Sequence, residues 1–214
     1  MSDYYLSIPL YHVDLKENNQ LFIKGEDLPE SSEDGEWGGK GLYLWDNINN
    51  AKYWKKVHWR KDASKASIVK TLLKIKDDFI LDLTEPTQVK EFEESIKAIA
   101  KRAQKSTDPI VAQKANYILD GAPKGYAINF YNEYLKKIYN YSVESLKLSG
   151  LYPSVRPQEF FKDDLVLNKY YNNEKERELS RKYCVPHVTI QSKNIYVIRN
   201  QELLLQREIY QEED

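Results

Sequence analysis

Apolar residues recur at alternate positions in the opening stretch YYLSIPLYH, at Leu6, Ile8 and Leu10. That period predicts a strand with one buried face, and Pro9 marks it as an edge or a bulge. LFIKGEDLP predicts a short strand or a turn, and GLYLW a second strand. Asp46 or Asn47 is placed to cap a short helix over INNAKYWKKV. DDFILDLTEP holds a compact buried strand at Phe79–Leu83, closed by Pro86. The period then lengthens: Val89, Phe92, Ile96, Ile99 and Ala103 keep helical intervals. DPIVAQKANYILDG predicts a second helix, opened by Asp-Pro and ended at Gly121. A longer one is expected through AINFYNEYLKKIYNYSVESLKLSG, stopping near Gly150. A polar, irregular stretch follows, and HVTIQ and IYVIRN read as closing strands before ELLLQREIY and an acidic tail. Strands at both ends enclosing a helical middle at about 87–150 predict one α+β domain over 1–214.

Composition narrows the class. Hydrophobic residues make up 41 % and charged ones 30 % of 214, which fits a folded domain. No run approaches the roughly 18 apolar residues of a membrane span. The opening MSDYYLSIPLYHVD lacks the basic start and apolar stretch of a signal peptide, and a single cysteine, Cys184, fits a reducing compartment. A cytoplasmic protein without a membrane partner is therefore expected. Net charge is −1, so the whole chain carries no nucleic-acid signal. The distribution is uneven, however. Residues 26–36, EDLPESSEDGE, form an acidic loop, while residues 52–76 hold nine lysines and arginines against one acid, Asp62. That basic stretch also carries Trp54, His58 and Trp59. It reads either as a solvated helix face beside core aromatics or as a surface for phosphates and stacked bases.

Several sites are excluded by their motifs. No GKS or GKT occurs, so a nucleotide-triphosphatase phosphate loop is absent. GEWGGKG does not follow a strand and open a helix as a dinucleotide fingerprint must. His12, His58 and His187 are scattered, and Cys184 and His187 lack a second ligand pair, so no metal is expected.

Three segments in order carry a more specific pattern: Tyr11-His12, then Gly39-Lys40-Gly41-Leu42-Tyr43, then Ala51-Lys52-Tyr53. This resembles the ADP-ribosyltransferases, in the branch of diphtheria toxin and the poly(ADP-ribose) polymerases. The resemblance covers the first sixty or so residues and about the last thirty, and ILDLTEP is similar to that family's third core strand. It implies a split β-sheet with flanking helices and NAD+ as the substrate consumed. Tyr43 and Tyr53 would hold the cationic nicotinamide ring from opposite sides, by stacking and cation–π attraction. His12 would bond the adenosine ribose, the backbone at Val13 would take the carboxamide, and Asn50 stands where a small hydroxyl residue contacts that amide.

Two positions depart from the family pattern. Val13 replaces a glycine, and Ile195, aligned on YVIRN, replaces the catalytic glutamate. Ile195 cannot accept a hydrogen bond from the nicotinamide ribose, which argues against polymer synthesis. Gln191, Asn194 and Glu202 are the side chains near that strand that remain as substitutes. The resemblance implies a mono-ADP-ribosyltransferase acting on a macromolecule, with nucleic acid favoured over protein by the basic stretch. A toxin or a factor in phage–host conflict, with an antitoxin or regulator as a further partner, belongs to the same expectation. The competing expectation is a catalytically silent domain of that fold that binds a nucleotide or a partner protein.

Overall fold

The computed structural model describes residues 4–31, 37–151 and 192–211. The chain divides into two compact units, one of residues 1–148 with 195–214 and one of residues 149–194. Described strands are β1 (Tyr5–Leu15), β2 (Leu42–Trp45), β3 (Ala66–Lys76), β4 (Ile80–Asp82), β5 (Ser145–Leu151), β6 (Ser192–Ile198) and β7 (Leu204–Ile209). Described helices are α1 (Lys16–Ile23), α2 (Ile48–His58), α3 (Pro86–Ala103), α4 (Pro109–Leu119) and α5 (Lys124–Tyr139). The class is mixed α and β, as the order of patterns predicts. One seven-stranded sheet runs β4-β5-β6-β2-β1-β3-β7, with β4 and β5 parallel.

Strand alternation gives the sheet two apolar faces. On one, Leu10, Leu44, Val69, Leu73, Tyr196 and Ile198 gather around Phe22 of α1. On the other, Val197, Leu146 and Leu148 pack against Phe92, Ile96, Ala115 and Ile128 from α3, α4 and α5, with Tyr43 at the edge. β1 and β3 register over eleven pairs, from Tyr5↔Lys76 to Leu15↔Ala66. β1 and β2 register at a single pair, Tyr11↔Trp45.

Four expectations are corrected. LFIKGEDLP holds the expected turn, at Lys24–Gly25, but no strand: its first residues end α1, where Asn19 and Phe22 are the buried positions. Eight mostly polar residues with two inward side chains show no readable period. The basic stretch 52–76 is not one helix face. It divides at Trp59 into α2 and β3, and Lys70 and Lys74 hid the strand because side chains four apart fit a helix too. The third long helix stops at Tyr139, where Asn140 takes the left-handed conformation (φ 49°, ψ 35°). Ser145–Leu151 is then a strand, so the helical middle spans 86–139. Pro86 opens α3 at its first turn instead of only closing a strand. HVTIQ, Cys184, His187, Gln191 and residues 32–36 of the acidic loop lie outside the described residues.

Candidate functional site

His12 stands where β1 and β2 part. Its Nδ1–H donates to the Tyr43 carbonyl over 2.9 Å, across the gap beside the one registered pair. Because a carbonyl only accepts, this bond places the proton on Nδ1. Nε2 is buried with no hydrogen-bond partner and lies 3.9 Å from Asp14 Oδ2. In the neutral ring that nitrogen is an acceptor awaiting a donor. The imidazole is 7 % exposed and meets Phe22 edge-on. Burial pulls the Asp14 carboxyl up, but the nearby His12 ring and hydrogen bonds from Asn18 and the Leu15 N–H outweigh it and hold it below the usual carboxylate value.

Tyr43 is fixed by its hydroxyl, which donates to Gly39 O (2.7 Å) and accepts from Gly38 N–H (3.1 Å). Burial pushes this phenol up, partly offset by that N–H and by Arg199. The glycine turn is held from its other side as well. Asn129 Oδ1 accepts from Lys40 N–H (2.9 Å) and from Arg199 Nη2 (2.8 Å), and Arg199 also donates to Gly38 O. Desolvation lowers the Arg199 guanidinium below its ordinary value, with Glu30, Tyr43 and Glu133 opposing. The Gly-Gly-Lys-Gly run is thus a packed turn that orients Tyr43. Its hub residues, Asn129 and Arg199, are ones sequence reasoning missed as partners. The available signal was a polar residue between Ile128 and Phe130 and a cation ending an apolar strand.

Alternation separates the predicted side chains. The His12 ring lies on the α1 face, whereas Tyr43 lies on the α3–α5 face. Val13 is buried on β1. Asn50 is buried in the first turn of α2, where its N–H bonds the capping Asn47 Oδ1 and its Nδ2 reaches Asp46 Oδ1. Tyr53 is 42 % exposed on α2. Ile195 is 1 % exposed, in register with Trp45, which is itself in register with Tyr11. Of the expected substitutes, Asn194 Oδ1 accepts from Ser149 Oγ, and Glu202 is exposed beyond β6.

An aromatic cluster runs from β2 along α2 to its end. Trp37 meets both Tyr43 and Trp54 edge-on, at 6.4 and 6.1 Å between ring centres. Trp54 also contacts Trp45 and stacks on His58, which meets Trp59. All four tryptophans of the chain therefore join one cluster contiguous with Tyr43. No family model, curated protein or solved structure matches this chain. Among the described residues, no helix is long and apolar enough to cross a membrane. What the chain offers chemically is a buried imidazole with one free nitrogen, a fixed phenol and a wall of indoles.

Proposed function

We propose that the chain is a mono-ADP-ribosyltransferase with a split-sheet fold, consuming NAD+ and modifying a macromolecule. The observation that carries this reading is His12 at the parting of β1 and β2, its Nδ1 committed to Tyr43 and its Nε2 left as an acceptor. A ribose hydroxyl is a donor of the right kind. The aromatic cluster beside Tyr43 suits a flat cationic ring such as nicotinamide, each ring contributing about 0.5–2 kcal/mol. In the reaction the bond between nicotinamide nitrogen and ribose C1′ breaks. Its electron pair goes to the nitrogen, which becomes neutral, and an acceptor nucleophile bonds C1′ and sheds its proton. The transition state is oxocarbenium-like, and the leaving group already carries the positive charge that drives departure.

The test is transfer of label from radiolabelled NAD+ into cell extract, with released nicotinamide followed in parallel. Label lost in both His12→Ala and Tyr43→Ala supports the transferase, and digestion with protease or nuclease then identifies the acceptor class. Wild-type protein that neither labels nor releases nicotinamide sinks it. A second reading, a silent domain that binds a nucleotide or a partner protein, is favoured by one observation. Ile195 is fully buried, so the position aligned with the family's glutamate presents nothing to a substrate. That reading predicts NAD+-dependent quenching of tryptophan emission without nicotinamide release.

A further inference from the structure

A concavity of about 340 Å³ opens between α2 and β3, lined by Lys52, Lys55, Lys56, Arg60, Ala63 and Ile68. Positions 52, 55 and 56 share one face of α2, and Arg60 continues the row just past its end. Among the described residues, none that lines it is acidic. Neighbouring cations on β3 and the preceding turn are neutralised: Lys65 pairs with Asp62 at 3.1 Å and Lys70 with Glu208 at 3.6 Å. Lys55, Lys56 and Arg60 make no ion pair among the described residues. The helix dipole accounts for cations in the last turn of α2. It does not account for Lys55, Lys56 and Arg60 gathering around a hollow whose described lining holds no acid, where like charges repel.

We propose that this cleft binds the sugar–phosphate backbone of a single-stranded nucleic acid. From Lys52 to Arg60 the row extends roughly 12 Å, room for about three phosphates. Apolar Ala63 and Ile68 line the cleft beside the cations. Tyr210 lies under Lys52, whose Nζ stands 5.5 Å from the ring centre, and Trp59 directly precedes Arg60 in the chain. Cations flanked by rings favour a strand whose bases stack over an acidic peptide, which offers carboxylates alone. The inference names the acceptor class of the transferase proposed above and rests on that reading in this respect; binding itself does not.

The experiment titrates the full chain into fluorescein-labelled single-stranded RNA of mixed sequence, read by anisotropy at several salt concentrations. Lys55→Glu/Lys56→Glu/Arg60→Glu is compared with a charge-matched control, Lys97→Glu/Lys101→Glu/Lys105→Glu, placed on exposed positions of α3 and just beyond it. The cleft variant is expected to bind roughly 10- to 100-fold more weakly, with the salt slope reduced by about 2, while the control stays within about threefold. Arg60→Gln alone, a milder change, is expected to lose several-fold and keeps the test valid if the triple variant does not fold. Equal losses in the cleft and control variants overturn the proposal. So does wild-type protein that ignores RNA at low salt, or that prefers polyglutamate or phosphatidylserine vesicles. NAD+ quenching of tryptophan emission is recorded on the same samples. Quenching without cleft-dependent RNA binding removes this inference and spares the transferase; cleft-dependent RNA binding without any NAD+ response supports the cleft and removes the transferase.

Discussion

At Gly39 a single methyl group has nowhere to go. Its φ is +76°, and an added Cβ meets Asn129 Oδ1 and lies 2.6 Å from the Gly125 carbonyl, which is backbone. Gly38 is crowded differently, by side-chain methyls of Leu146 (2.6 Å) and Val197 (2.7 Å) and not by backbone. Gly39→Ala should therefore destabilise by more than about 3 kcal/mol, because left-handed strain adds to the clash, and Gly38→Ala by about 1–3 kcal/mol. Urea unfolding of both variants checks the order; equal losses would mean the turn relaxes freely. Asp82 supplies a pH-dependent prediction. Burial raises its carboxyl, but hydrogen bonds from Lys147 Nζ (2.7 Å) and from the Thr84 N–H and hydroxyl outweigh that and lower it. A lowered folded pKa contributes stability that is present above the unfolded value, about 3.9, and is lost as pH falls through the folded value. Asp82→Asn should cost about 1–2 kcal/mol at neutral pH, with the gap to wild type closing below about pH 4. A gap unchanged across acid unfolding curves would place the loss in packing instead.

At the level of elements, what could be read depended on how many inward positions each one repeats. α3 buries Phe92, Ile96, Ala100 and Ala103, and its helical period was visible in the chain, whereas Pro86 read as the end of a strand and not as the start of this helix. α4 was equally plain from Asp108 before Pro109 and Gly121 after Leu119. α1 buries two residues and left no trace, and β3 carries its lysines at a spacing that suits either element. The site divides in the same way. His12 and Tyr43 could be singled out as candidates because a motif spaced along the chain marks them, and the fold joins them by a hydrogen bond. Asn129, Arg199, Trp37 and Trp54 meet only through the tertiary fold, so no local pattern exposes them. The end of α5 shows how little separates the two outcomes. Nothing around Asn140 breaks a helix by composition, yet its left-handed conformation stops one and frees Leu146 and Leu148 to enter the sheet. Asn140→Gly should be neutral or stabilising by up to about 1 kcal/mol, and Asn140→Val should destabilise by about 1–2 kcal/mol. Chemical denaturation gives both values; a harmless valine would mean that the following strand alone ends the helix.

Across the whole sheet, the joints are unequal. β1 and β3 are tied by a long ladder of eleven registered pairs, and β3 holds β7 over four more. On the other side β2 and β6 register over four pairs, Leu42↔Ile198 to Trp45↔Ile195. Between these groups stands one registered pair, Tyr11↔Trp45, and the His12–Tyr43 bond. A side chain thus takes the place of a ladder hydrogen bond at the seam, and removing it leaves a buried carbonyl without a donor, a loss of about 1–3 kcal/mol. That loss should be local. Hydrogen exchange follows the free energy of the opening that exposes each amide, and weakly joined segments open without global unfolding. In His12→Ala the amides of 43–45 and 195–198 should lose protection by roughly 10-fold or more, while those of 66–76 stay near wild type. Uniform loss over both groups would instead mean that the imidazole supports the fold as a whole and that the seam is no weaker than its neighbours. A confined loss would make the parting of β1 and β2 a mechanically separate joint. The chain would then hold a buried, half-satisfied imidazole at the place where the sheet is easiest to enter.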